Sequence, residues 1–496
     1  MKTIFTLLLY VFTLFVSYAQ KTTISGKLPS MKGAIVQISR PTNQFIKTPQ
    51  GFVTETAVSP TGSFSLKADF LNKEIVVLSI EDTTGSDRML FEQYLYISKG
   101  DNLLISENTN KAITITGVGA KHNQLKNIPI YYRYGWVKED TLPDRIYKVV
   151  NNFYNRDRRT LDSLIKLYKP APDFIEAWNY HLKYARVYAF YNTYGGIRIA
   201  WREPIARNKE KWENTLAQLQ NEVPLSDDKA LVAPSYHYYL DTYLDRKHSS
   251  FLDEYFRKRT EFCKEWFDGN QAMADSVMKQ DFYNYLKYKM INRYFDGKTK
   301  EQMYALLFND MIRRENFDNV QLGWADFKTQ FPNSRLNSYF TGPVSNALNK
   351  AKNELSDKMV FLEGIKTWKN ITTLLTGKTV LIDMWGTWCG PCREEISANS
   401  AELKKHFKNK DVTFLYIANY DEEVEKWKRL IAYYNLEGVH VMASEDLTEE
   451  AMKKLRGTGF PTYAIIDKYG KIETSKAGFP MNRDILIKQV EEALNR

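Results

Sequence analysis

The chain has 496 residues, 69 Lys and Arg against 59 Asp and Glu, a net charge of +10, and three cysteines. That length allows about three domains, and so few cysteines exclude a disulfide-stapled scaffold, so hydrophobic cores must hold the fold. The positive excess is spread thinly, without a basic run dense enough to argue for nucleic acid.

Met1-Lys2-Thr3, the apolar run Ile4 to Val16 and the small residues Ser17 and Ala19 describe a secretory signal peptide over 1–19, cut after Ala19. A retained N-terminal anchor is the alternative, although the run is shorter than the roughly 20 residues a spanning helix needs. No Cys follows the signal, which closes the lipidated-cysteine route, and no later segment is apolar enough to span a bilayer. The expectation is export, to the periplasm or outer cell envelope.

Residues 20–119 read as a β-sandwich-like domain. Thr22 to Leu28, Ala34 to Ile38 and Ser63 to Leu66 alternate, and further short runs lie at Ile75 to Ile80, Tyr94 to Ile97, Leu103 to Ile105 and Ala112 to Thr116. Turn signals at Ser59-Pro60-Thr61-Gly62, Thr84-Gly85-Ser86 and Lys99-Gly100-Asp101-Asn102 separate them, which predicts a small antiparallel sandwich or barrel. With no Cys and only His122 at its edge, a structural or docking role is expected there.

Residues 120–352 change to helical apolar spacing. Helices are predicted over Asp144 to Tyr168, Asp173 to Tyr194, Asn208 to Asn221, Ser250 to Phe267 and Gln271 to Phe295, with no fixed repeat period. Tyr180, Tyr184, Tyr188, Phe190, Tyr191 and Tyr194 crowd one helix, either as an aromatic core or as a partner-binding surface. Cys263, between Phe262 and Trp266, reads as a small buried apolar residue.

Residues 353–496 carry the chemistry. Trp388-Cys389-Gly390-Pro391-Cys392 follows the apolar strand Thr379 to Trp385 and precedes a helix-forming stretch, Arg393 to Phe407. Cys389 thus stands on the positive end of a helix dipole, where the nucleophilic thiolate is favoured. Strands are predicted at Val412 to Ala418, Val439 to Ala443, Thr462 to Asp467 and Lys471 to Ser475. Helices are predicted near Glu422 to Tyr434, near Thr448 to Leu455 and at Asn482 to Leu494. This is a βαβ half followed by a ββα half. Haem attachment would need His where Arg393 stands, and a zinc site would need about four ligands where only one cysteine pair exists. No metal or cofactor is expected.

The five-residue motif, Gly459-Phe460-Pro461-Thr462 before the next-to-last strand, and the helix and strand inserted over Asp421 to Ala443 resemble the TlpA/ResA-like branch of exported bacterial thiol–disulfide oxidoreductases. The first region also looks like the β-rich domain that often precedes such proteins. The resemblance implies a multidomain chain ending in an α/β thioredoxin fold, with a redox-active Cys389–Cys392 disulfide. In that pattern Cys389 attacks and Cys392 resolves, the first cysteine being the exposed one. Trp388, Gly390, Pro391, Phe460 and Pro461 would form the substrate face, with Pro461 matching the family's cis-proline. Asp383 matches the buried proton acceptor, its pKa raised by burial; a hydrogen-bonded structural Asp is the other reading. Unlike many thioredoxins, no proline follows the dithiol within Glu394 to Ala398.

Three functions compete. A reductase of disulfides in exported client proteins fits Gly-Pro between the cysteines, as in thioredoxins near about −270 mV rather than oxidants near about −120 mV; it would need a membrane-bound electron donor. An oxidase or isomerase uses the same chemistry. An exported binding protein would instead rely on residues 20–352.

Overall fold

The computed structural model describes residues 21–40, 52–68, 73–82, 88–124, 142–195, 208–280, 282–314 and 320–496. The expected signal peptide and the turn Thr84-Gly85-Ser86 lie outside them. Two compact units are present, residues 1–310 with 325–331, and residues 311–324 with 332–496.

The first unit opens with strands β1 (Thr22–Lys27), β2 (Ile35–Ser39), β3 (Phe52–Ala57), β4 (Ser63–Ala68), β5 (Glu74–Asp82), β6 (Arg88–Ile97), β7 (Asn102–Glu107) and β8 (Ile113–Val118). They form two four-stranded sheets, ordered β4-β1-β7-β8 and β3-β2-β5-β6. Alternation aims one side of each strand inward: Ile24, Val36, Leu66, Leu78, Leu95 and Ile105 share one core. One pairing departs from the antiparallel expectation. β1 and β7 run parallel, Ile24 opposite Leu103, because the chain joins them through the other strands rather than by a hairpin. Gly26 permits the approach, since a Cβ there would stand 2.0 Å from the Ile105 carbonyl oxygen.

β5 has buried residues on both faces. Val76 and Leu78 enter the sandwich, while Ile75 and Val77, with Tyr94 and Tyr96 of β6, pack against Leu161, Leu164, Phe174, Trp178 and Leu182. Those five come from the helices Pro143–Tyr168 and Pro172–Gly195. The sandwich and the helical region therefore share a second core. Tyr184, Phe190 and Tyr191 are buried, and the Tyr184 hydroxyl donates to the Pro224 carbonyl at 2.8 Å. The aromatic crowding is thus core packing; the side chain of Tyr194 lies outside the description. Cys263 is free and buried.

Two predicted helices are corrected. The stretch Ser250 to Phe267 belongs to two helices, Pro234–Arg257 and Arg259–Trp266. Lys258 between them leaves helical geometry at φ −134°, ψ 46°, a break that neither Gly nor Pro announces. The stretch Gln271 to Phe295 is likewise two helices, Gln271–Gln280 and Phe282–Tyr294.

In the second unit, strands β9 (Met359–Phe361), β10 (Thr379–Trp385), β11 (Val412–Asn419), β12 (Gly438–Ala443), β13 (Thr462–Ile466) and β14 (Ile472–Thr474) form one sheet ordered β14-β13-β10-β11-β12-β9. β10, β11, β12 and β9 run parallel, and β13 and β14 antiparallel to their neighbours. The three-residue edge strand β9 has no counterpart in the sequence reading. Helices Trp368–Leu374 and Glu445–Leu455 close one face over Val380, Ile382, Leu415, Ile417 and Val441. Helices Gly390–His406 and Arg483–Leu494 lie on the other.

Trp178→Ala removes the largest side chain of the shared core. It is expected to destabilise the first unit by about 3–5 kcal/mol, measured by urea denaturation; a loss within 1 kcal/mol would contradict the shared core.

Candidate active site

β10 is buried along its whole length and ends where the loop Gly386-Thr387-Trp388 leads to Cys389. That cysteine is the N-cap of the helix Gly390–His406, at φ −80°, ψ 95°, with Pro391 in the first turn. The missing proline after the dithiol leaves this helix unbroken. Cys389 and Cys392 are joined as a disulfide, S–S 2.00 Å and Cα–Cα 5.3 Å. The Cys392 N–H donates to the Cys389 sulfur at 3.2 Å, so the sulfur satisfies a helix-end donor that would otherwise lack an intrahelical partner.

Cys389 is 3 % exposed and Cys392 0 %, which corrects the expectation of an exposed first cysteine: bonding to Cys392 draws its sulfur over the helix's first turn. Trp388 is the open side chain, at 50 %, with Pro391 also exposed.

The loop is stapled to the end of β11. The Trp388 indole N–H donates to the Asn419 carbonyl at 2.8 Å, and the Asn419 amide donates to the carbonyls of Trp385 (2.9 Å) and Ile417 (2.7 Å). The Thr387 N–H donates to the Asp421 carboxylate at 2.9 Å. Gly386 lets the indole close down, since a Cβ there would meet Trp388 Nε1 at 2.6 Å. The Phe460–Pro461 peptide is cis, and the Thr462 hydroxyl donates to the Gly459 carbonyl at 2.6 Å. The Phe460 and Trp388 rings meet edge-on at 5.7 Å, which brings the Pro461 turn beside the dithiol loop.

Asp383 is 8 % exposed, opposite Tyr416 on β11 and Tyr463 on β13. Its Oδ1 has no hydrogen-bond partner among the described residues. Burial first, and the Glu395 charge second, push its pKa up to about 8. Glu395, one turn beyond Cys392 and 7 % exposed, accepts from Met481 N at 3.2 Å and Asn399 Nδ2 at 2.8 Å. Asp383, Glu395, Tyr416 and Tyr463 line one narrow cavity of ≈ 20 Å³, room for about one water. Burial, with the Asp383 charge nearby, raises both tyrosine hydroxyls well above their ordinary range.

The structure thus brings Cys389, Gly390, Pro391, Cys392, Trp388, Phe460 and Pro461 to one end of the sheet, with Asp383 in the layer beneath. Sequence reasoning missed Glu395 and Asn419. Glu395 was detectable as the one acid on the helix's inward stripe of Cys392, Ile396 and Leu403; Asn419 carries no such signal. No group of acidic, His or Cys side chains suited to a metal occurs among the described residues.

A parallel sheet with an antiparallel ββ end, and a Cys-x-x-Cys disulfide capping the helix after its central strand, define a thioredoxin-fold dithiol domain. Comparison with known proteins narrows the class. Residues 364–494 match the Redoxin family model. Thiol-disulfide oxidoreductase ResA of Bacillus thuringiensis subsp. konkukian is 32 % identical over 96 residues, covering 19 % of this chain and 53 % of the relative. ResA of Bacillus subtilis is 28 % identical over 98 residues, covering 20 % and 52 %. The chain spans about half the length of these curated relatives. Among solved structures, the thioredoxin domain of a Bacteroides vulgatus thiol-disulfide oxidoreductase is 27 % identical, covering 25 % of this chain and 84 % of that one at a TM-score of 0.22. Residues 364–494 thus match the Redoxin model and are similar to part of the ResA thiol–disulfide oxidoreductases.

The raised pKa of Asp383 gives stability a definite pH dependence. Between about pH 4 and pH 8 the folded state holds a proton that the unfolded state has released, so this carboxyl's contribution falls as pH rises through that window. Asp383→Asn is expected to match the parent near pH 4 and to exceed it at pH 9 by about 1–3 kcal/mol, measured by denaturant titration of the oxidised protein. Parallel pH profiles would contradict an uncompensated carboxyl.

Proposed function

We propose that the chain is an exported thiol–disulfide oxidoreductase that reduces disulfides in exported client proteins. The observation that carries this is the Cys389–Cys392 disulfide capping a helix whose Glu395 shares a cavity with the buried carboxyl of Asp383. In the reduced protein, the helix N-terminus favours the Cys389 thiolate. That thiolate attacks one sulfur of the client disulfide; a Cys389–client bond forms, the client S–S bond breaks, and the second client sulfur leaves as a thiolate. Cys392 then attacks the Cys389 sulfur, closing the Cys389–Cys392 disulfide and releasing the first client thiolate. Two electrons pass to the client. Asp383, in the fraction ionised near its raised pKa, takes the Cys392 proton as that thiol becomes a nucleophile, next to the water-sized cavity that it shares with Glu395. The cis Phe460–Pro461 turn and Trp388 position the client backbone beside the sulfurs.

A membrane-bound dithiol donor would return the site to its reduced form. No helix among the described residues is long and apolar enough to cross a membrane. The β-sandwich over 20–119 and the helical region over 120–352 serve client or partner selection in this reading.

Two measurements test it. Cys392→Ser is expected to accumulate mixed disulfides on Cys389, read by non-reducing electrophoresis and mass spectrometry; capture of no client would sink the oxidoreductase reading. Redox titration of the Cys389–Cys392 couple is expected near about −270 mV. A value near about −120 mV would reverse the direction to oxidation.

A further inference from the structure

Beside the dithiol, Trp388 and Phe460 of the proposed substrate face pack against a third aromatic side chain, Tyr420, which has no role in the exchange steps. Trp388 and Tyr420 are each 50 % exposed, and Phe460 is half-buried. Their rings are mutually in contact, with centroids 5.7 Å apart for Trp388–Phe460, 6.1 Å for Tyr420–Phe460 and 6.5 Å for Trp388–Tyr420. Tyr420 has φ 53°, a left-handed conformation that a bulky residue rarely adopts. It is held there from both sides: the Asn419 carbonyl accepts from the Trp388 indole and the Asp421 carboxylate accepts from Thr387. Exposed Trp and Tyr fixed in this way are the residue types that anchor protein partners.

The chain immediately after Tyr420 decides what kind of partner fits. Asp421, Glu422, Glu423 and Glu425 put four acids into five positions of a chain whose net charge is +10. Asp421 is tied to Thr387 beside the dithiol, and Glu423 pairs with Lys426 at 3.4 Å. Glu422 and Glu425 are exposed. A positive side chain reaching this edge meets the negative faces of Trp and Tyr rings and the field of the carboxylates. An acidic client would meet repulsion from the same groups.

We propose that Trp388, Tyr420 and Phe460, together with the acidic run from Asp421 to Glu425, form a docking face for an extended client segment carrying Lys or Arg beside its disulfide cysteine. This rests on the thiol–disulfide exchange proposed above and names the class of client that site accepts. Tyr420 is a specificity residue here: it contacts the client segment and takes no part in moving sulfur or protons.

The test uses the reduced full-length protein and three disulfides that release thiopyridone, followed by absorbance. Two are peptides of equal length with a single S-thiopyridyl cysteine flanked by Lys or by Glu; the third is neutral 2,2′-dithiodipyridine. The Lys-flanked peptide is expected to react about tenfold faster than the Glu-flanked one at low ionic strength, and the gap should narrow as salt screens the exposed carboxylates. The double variant Glu422→Lys, Glu425→Lys should abolish the preference while leaving the dithiodipyridine rate unchanged, and Tyr420→Ala should slow both peptides several-fold. Equal rates for the two peptides on the parent protein would overturn the docking proposal while leaving the exchange reading standing. No reaction with dithiodipyridine would instead overturn the exchange reading itself.

Discussion

The site depends on a strand with no wet side. β10 lies between β11 and β13 with all seven residues buried, so whatever its sequence carries is committed to one of two interior layers. Val380, Ile382 and Met384 face the apolar layer, and the alternate set, Leu381 and Asp383, faces the cavity beneath the dithiol helix. A slip of one residue would exchange the two sets, putting a carboxylate into the all-apolar core. Hydrogen bonding on both edges holds the register. It also sets where the chain emerges, and hence where Cys389 meets the start of its helix.

Much of this was legible because the chemistry is compact in sequence. The dithiol, the strand before it and the helix after it occupy one continuous stretch, and a buried parallel strand reads as an unbroken apolar run. Pro461 stood out through its Gly459 and Thr462 neighbours. What escaped reading depends on contacts between distant segments. Asn419 matters only because Trp385 and Trp388 fold back onto it, and Glu395 looks like any helix acid until the inward stripe of its helix is placed against Met481. β9 is too short to show a period. The break at Lys258 lacks the residues that normally mark one, and the parallel β1/β7 pair follows from how the sheets are joined rather than from either strand.

Asp383 and Glu395 also show where this domain sets stability against chemistry. Two acids share one cavity; Glu395 accepts from Asn399 and Met481, whereas Asp383 Oδ1 has no donor among the described residues. The result is an uneven pair, in which Asp383 holds its proton well above the ordinary carboxylate range. An apolar residue at 383 would pack this layer without that penalty.

The two-faced strand β5 has a consequence for how such chains are assembled over time. A sandwich with one apolar interior can be cut out and joined to new neighbours as a self-contained module. This one carries Ile75, Val77, Tyr94 and Tyr96 on its outer face, matched to Phe174 and Trp178. Released from its helices, it would present that patch to water as a sticky surface. The sandwich and the helices that follow it are therefore expected to be inherited and exchanged as one block. The thioredoxin-fold domain, by contrast, covers both faces of its sheet with its own helices.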